Sequence, residues 1–463
     1  METGWEFLID MCVIGGLLLL ATFIRTRVRF FQKYMVPNNI VAGFLLLFIG
    51  NEFLGLVHVS SDRYGSYVYH LLAIMFIAMA LRKGDGVSSR PMVATGIILT
   101  IGYGLQAFIG MLITYVAILF FKPDLFPTFG HFLVLGFGQG PGQAFALGKS
   151  WEGLGFENAG NIGLTFAAIG YLWACTFGVW LVYWNEKRDK GEKQNISEEE
   201  RLGIVRDMSR QAEAGRLVTA TSAIDGFTFQ IALVGLVYLT TYGLLTGIEA
   251  LLTIVVHKEA AFLQLKNTMW GLHFIFATVM AILFRKLILQ FQWSHILDNG
   301  LLTRISGSSL DFMVTAAIGA ISISIFRQYL TLILITTTVG GIATILFLIL
   351  IFKHSAIPHV NERIASIYGT LTGTLSTGLT LTRIVDPQFK TQVAQDLVFG
   401  CGIAFPMAVP VILSVMIPLA GMTSPNPGYY YLGTILFLGF YTLGLYVALY
   451  FVSKGFHPGK SRA

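Results

Sequence analysis

At 463 residues, 55% hydrophobic and 12% charged, with a mean hydropathy of +0.70, the chain has too little polar surface to cover a soluble core, so the bilayer is its solvent. The net charge of +6 does not point to nucleic acid, because Lys and Arg lie mainly in short loops between apolar runs. Cys12, Cys175 and Cys401 fall in or beside those runs without CxxC spacing, which supports neither a disulfide framework nor a metal site.

Apolar runs approaching the length a bilayer needs predict spans at about Phe7–Ile24, Val36–Leu56, Tyr67–Leu81, Val93–Phe121 and Ala159–Trp184. Further spans are predicted at about Phe227–Val256, Met269–Phe284, Leu310–Phe326, Leu330–Phe352, Leu397–Leu419 and Tyr431–Val452. The first lacks a basic leader and a small-residue cleavage site, so it reads as a retained span. Positive residues cluster after alternate spans: Arg25 to Lys33, then Arg82, Lys83 and Arg90, then Arg285, Lys286 and Arg304, then Lys353 and Arg363, and finally Lys454, Lys460 and Arg462. That bias places the N-terminus outside and the C-terminus inside a cell (inner) membrane. Tyr429 to Tyr431 form an interfacial aromatic anchor before the last span.

One polar segment, 185–226, divides the membrane part. Ser197 to Glu200 has the form of a capping box opening a short helix to about Arg216, and the segment reads as a solvated cytoplasmic linker. It separates residues 1–184 from residues 227–421, with 422–463 carrying an additional helix and tail. The fold class expected is therefore an all-α polytopic membrane protein. It has two inverted repeats of five transmembrane helices, each with a re-entrant hairpin, plus one extra C-terminal transmembrane helix.

The hairpins, at about 131–150 and 364–385, are where the spans break down. Gly136 to Gly148 carries a glycine at nearly every second position around Pro141, which is poor helix material. The second, from Tyr368 to Arg383, is crowded with Gly and Thr. Irregular backbone at membrane depth is tolerated where it is buried in protein or lines a watery cavity. Paired interruptions at matching places in two halves point to a transporter's binding site. Broken backbone frees carbonyls for a hard cation such as sodium, and half-helix N-termini favour a carboxylate. Gln139 and Gln143 flank the Gly140-Pro141-Gly142 tip. Thr372, Thr374, Ser376, Thr377 and Thr380 supply hydroxyls around Gly373 and Gly378.

Charges beside the spans have two readings each. Asp311, at the start of the eighth span, is either an intramembrane acid for sodium or a proton, or a helix-start acid favoured by the dipole. Arg383 either pairs with a substrate carboxylate through its planar fork or snorkels to the cytoplasmic interface. Asp386 with Pro387 reads as a helix stop, Asp10 and Glu249 as interfacial acids, Asn158 and Asn161 as cavity-lining, and Pro406, Pro410 and Pro418 as kinks.

The order of segments resembles the bacterial sodium:glutamate symporter (ESS) family over roughly Phe7 to Leu419. The likeness is carried by Tyr34-Met-Val-Pro-Asn-Asn-Ile-Val-Ala-Gly43, by Gly136 to Gly148, and by Gly155 to Ala159 with Thr165 to Gly170. The resemblance implies a homodimer that takes up an acidic amino acid with sodium by an elevator movement of the hairpin domain. It also implies no cofactor beyond the coupling ion. The chain departs from the family in its Thr-rich second hairpin and in the added Tyr431–Val452 helix. The alternatives are a carrier of another organic anion with sodium or proton coupling, and a channel with re-entrant loops. No HExxH, GxSxG or tight carboxylate cluster suggests an enzyme.

Overall fold

The computed structural model describes residues 5–33, 36–82, 90–182, 224–354, 357–386 and 391–453, and among them every regular element is a helix. The expected linker helix with its Ser197 capping box lies outside the described residues.

The first half runs α1 (Trp5–Arg27), α2 (Asn38–Ile49), α3 (Ser61–Leu81) and α4 (Arg90–Phe120), then a broken hairpin, then α7 (Ala159–Trp173), which continues through a π-helical turn, Ala174–Gly178. The hairpin itself is α5 (His131–Leu133), a π turn Val134–Gly138, a sharp bend, and α6 (Pro141–Glu152). The second half runs α8 (Gly226–Val255), α9 (Glu259–Gly271), α10 (His273–Gln290), α11 (Asn299–Gly319) and α12 (Ile323–His354). Its hairpin is α13 (Val360–Thr372) and α14 (Leu375–Val385), followed by α15 (Val393–Leu413), α16 (Met416–Gly421) and α17 (Pro427–Ser453).

Nine helical stretches among the described residues are long and apolar enough to cross a membrane, fewer than the eleven apolar runs of the sequence reading. The difference lies at α2 and α11. The run expected at Val36–Leu56 stops at Ile49, because Gly50 turns extended and Asn51 folds back to bond the backbone of Val59 through both of its amide groups. Its 12 residues reach only about 18 Å. The run expected at Leu310–Phe326 begins instead at Asn299 and ends at Gly319. Asp298 caps that helix, accepting from the Leu301 N–H at 2.6 Å. Asp311 therefore sits well inside α11, and the helix-start reading of its charge is corrected. The expected tenth span divides into α15 and α16 around Ser414. Pro418 has no N–H to return to the Ser414 carbonyl, so the helix cannot continue unbroken through that turn.

Two packed groups emerge from the contacts. In one, α3 lies against α10 and α11, α2 against α1 and α11, and α8 against α10. In the other, α4 packs on α15, α12 and α17, while the two hairpins pack on α7 and α15. The groups meet mainly through α6, which rests on α3, α9 and α11, and through α7 against α11. Small residues permit the close approaches: a Cβ on Gly153 would clash with Asn267, and one on Gly271 would come within 2.9 Å of Ser150. At the C-terminal end of α6, Lys149 bridges Asp62 at 2.6 Å and Glu152 at 2.7 Å.

The added helix α17 belongs to the second group. Tyr431 stacks on Tyr115 with centroids 4.4 Å apart, and the Tyr441 hydroxyl donates to the Met407 carbonyl. Asp10, expected at the interface, is only 3% exposed. It accepts from the Arg63 guanidinium and from the hydroxyls of Tyr64 and Tyr67, tying α1 to α3. Glu249 pairs with Lys266 and accepts from the Trp270 indole.

Candidate functional site

The two hairpin tips meet. Gly140 has φ +93°, a left-handed conformation that an L side chain resists. A Cβ there would fall 3.2 Å from the Thr374 methyl and 3.9 Å from the Gly373 carbonyl oxygen. The bend is set locally: the π turn Val134–Gly138 underwinds and widens the incoming arm, and Pro141 at the first helical position opens the outgoing one. On the other side, Thr374 is the N-cap of α14 and sits in extended conformation after Gly373. Two half-helices, α6 and α14, thus begin at one point with their N-termini converging. Aligned peptide dipoles make such a point attractive to an anion.

The tips differ in how their polar groups are used. No side chain caps α6. Gln143, 3% exposed, has no hydrogen-bond partner for its Oε1, and neither amide atom of Gln139 has one. Orphaned polar atoms at this depth are rare and point to a missing partner. At α14, by contrast, Thr374 and Thr377 form a reciprocal capping box, with the Thr374 N–H donating to Thr377 Oγ1 at 2.7 Å. The Thr372 hydroxyl donates to the Tyr368 carbonyl at 2.8 Å. Of the expected hydroxyl ligands, Thr372 and Thr377 are therefore engaged with their own backbone, Thr374 stands at the tip, and Thr380 lies one to two turns down α14. The Ser376 side chain lies outside the described residues.

Around the tips the structure gathers groups that single-sequence reasoning did not join. Asp311 Oδ1 accepts from Asn39 Nδ2 at 2.8 Å, linking α11 to α2. Thr315, one turn on, donates to the Asn39 and Asp311 carbonyls. A Cβ on Gly142 would touch Met313 Sδ at 2.9 Å, which sets the α6 N-terminus against α11 two residues from Asp311. The Tyr171 hydroxyl of α7 lies beside Thr374 and within electrostatic range of Asp311, yet it is 2% exposed and lacks a geometric hydrogen bond. Gln106 of α4 holds the second hairpin from behind, donating to the Leu371 carbonyl at 2.8 Å and to Thr344 Oγ1 at 3.1 Å. Asn39 stands in the motif quoted above for span two. For Tyr171 the only sequence signal was its place just after Thr165 to Gly170.

Arg383 is not at the tip. It lies nine residues beyond Thr374 near the end of α14, about 13 Å along the helix axis, where Arg25 of α1 is an electrostatic neighbour. Asp386 ends that helix and accepts from the Thr391 N–H and hydroxyl at 2.8 and 2.6 Å. The base of hairpin two is fixed by a buried ion pair: Arg363 donates to Asp396 at 2.5 Å and to Thr95 Oγ1 at 3.0 Å. Asn158 lines a pocket with Asp124, Glu157, Gln328 and Tyr329, none of them a tip residue. The Asn161 Oδ1 is buried and unpartnered.

A second cavity, of about 470 Å³, opens between the two helix groups. Ile24, Phe30, Phe31, Val36, Ile40, Val41, Phe44 and Leu45 form one wall, and Tyr171, Leu172, Cys175 and Thr176 of α7 the other. None of these carries a charge. Tyr171 belongs both to this wall and to the tip region.

These features fit a polytopic helical membrane protein in which two helix N-termini, from the two halves of the chain, meet at a candidate site. Comparison of the chain with known protein families, with characterised proteins and with solved structures finds no match.

Proposed function

We propose that this chain is a secondary active transporter that carries a small carboxylate-bearing solute with sodium by alternating access. The observation that carries the reading is the meeting of two half-helix N-termini at Gly140 and Thr374, near the unpartnered Gln143 amide oxygen and Asp311 within α11. A carrier needs dipoles for an anion, freed carbonyls and a carboxylate for cations, and irregular backbone shielded from lipid.

Packing supports an inverted repeat. The partners of α2 and α11 are echoed by α10 and α3; those of α4 and α15 by α12 and α7; and those of α1 and α2 by α8 and α10. Each exchange swaps one half of the chain for the other, as a two-fold axis in the membrane plane requires. With the positive-inside bias, hairpin one enters from outside and hairpin two from inside. The group of α1–α3 with α8–α11 is then the scaffold, and the hairpins with α4, α7, α12 and α15 are the moving body of an elevator. The resemblance to sodium:glutamate symporters adds a homodimer in the cell membrane and an amino-acid substrate. Sodium enters as the coupling ion and no organic cofactor is proposed.

Purified protein in proteoliposomes is expected to accumulate solute only with an inward sodium gradient. Uptake indifferent to sodium and to membrane potential would contradict the coupling, and single-channel currents would replace the carrier with a pore.

A further inference from the structure

Resting on that transporter reading, we propose that the solute is an amino acid with an uncharged, apolar side chain, seated with its carboxylate at the N-terminus of α6, its ammonium on Asp311 and its side chain in the cavity between α1–α2 and α7. This departs from the acidic amino acid that the family resemblance implies.

The charges decide the first half of the argument. The α6 N-terminus presents amides that no side chain caps, and the buried Tyr171 hydroxyl, a donor, stands beside Thr374 at the same tip. That end accommodates one carboxylate, which takes N–H and O–H donors. Asp311 has one oxygen engaged by Asn39, leaving the other for a cationic donor. Together they match the two ends of a zwitterion. A second carboxylate needs a second basic partner, and the tip region supplies none among the described residues. Arg383 is at the far end of α14, and Lys149 is committed to Asp62 and Glu152 at the C-terminal end of α6.

Shape decides the second half. Tyr171 is shared by the tip region and the apolar cavity, and Ile40 and Val41 of the opposite wall follow directly on Asn39, the partner of Asp311. A side chain leaving the zwitterion in that direction meets Ile40, Val41, Phe44, Tyr171, Leu172 and Cys175. None of the lining side chains offers an ionised group a counter-charge, and shedding its water against them is unfavourable; Arg25, a cation, adjoins Ile24 in sequence but is not among them. A branched aliphatic or aromatic side chain gains from the same burial.

The test compares leucine, phenylalanine, alanine and glutamate in sodium buffer, by thermal stabilisation of the purified full-length protein and by uptake into proteoliposomes. Leucine and phenylalanine are expected to be preferred over glutamate by about tenfold or more, as one misplaced charge or lost apolar contact discriminates. Filling the cavity with Cys175→Trp is expected to shift preference toward alanine, and Phe44→Ala to relax it toward larger side chains, with sodium dependence kept in both. Glutamate preferred over leucine would overturn the proposal while leaving the transporter intact. So would size preference unmoved in both variants. If no solute is taken up with sodium at all, the transporter reading falls and this inference with it.

Discussion

The two hairpins occupy equivalent places in the chain but solve the problem of broken backbone in opposite ways. Hairpin two satisfies itself: Thr374 and Thr377 cap each other, Thr372 bonds its own turn, and Arg363 with Asp396 pins the base. Hairpin one leaves Gln139 and Gln143 open and spends glycine on the bend. Their surroundings differ too. The outgoing arm of hairpin one is packed against α3, α9 and α11, whereas hairpin two makes no comparable packing with that group among the described residues. On that side lies the apolar cavity instead. Under the proposed reading, the open polar groups of hairpin one are the ligand-binding ones, and hairpin two meets them with a tip whose threonines cap one another.

This contrast can be broken by substitution. The largest stability effect is expected at the base of hairpin two. Asp396→Ala leaves Arg363 buried without its counter-charge and should cost about 3–5 kcal/mol, seen as a lower melting temperature in detergent. The double change Arg363→Met with Asp396→Leu should recover most of that loss. Next comes Gly140→Ala, which forces a Cβ into a left-handed bend against Thr374. Strain of about 1–3 kcal/mol is expected at the tip, read as slowed sodium-driven uptake in a protein that still folds. Gln143→Leu separates ligand binding from stability. Removing the unpartnered amide oxygen should leave the ligand-free melting temperature unchanged or raised, while solute affinity measured by thermal shift falls about tenfold for the lost bond it accepts from the ammonium. The smallest effect is reserved for Thr377→Val, where loss of the cap costs about 1 kcal/mol of stability and solute affinity stays at the wild-type level.

How much of this was legible in the sequence follows from the range of the signals. Hairpin positions were readable because glycine and proline act locally. The boundaries 131–150 and 364–385 fall within a few residues of the helices observed at His131–Glu152 and Val360–Val385. Asp311 was misplaced on its helix because hydrophobicity starts at Leu310, whereas the helix is set by the Asp298 cap and runs through a polar stretch first. The Asn39–Asp311 bond joins residues 272 apart, and the pairing of Tyr171 with the tips is equally non-local. No periodicity encodes such contacts. Arg383 looked close to the tip because a hairpin is short in sequence, but a helical arm carries its end well away. Composition does not distinguish the threonines: the Thr372 hydroxyl bonds its own helical turn and the Thr377 hydroxyl caps α14, while Thr374 stands at the tip.

The central claim is tested most directly at Asp311. Solute uptake into proteoliposomes should be measured with an inward sodium gradient and again with sodium equal on both sides, for wild type and for Asp311→Asn. The account predicts gradient-driven accumulation in the wild type and its loss in Asp311→Asn, with the variant melting as a folded protein. Accumulation by Asp311→Asn equal to that of the wild type would contradict it.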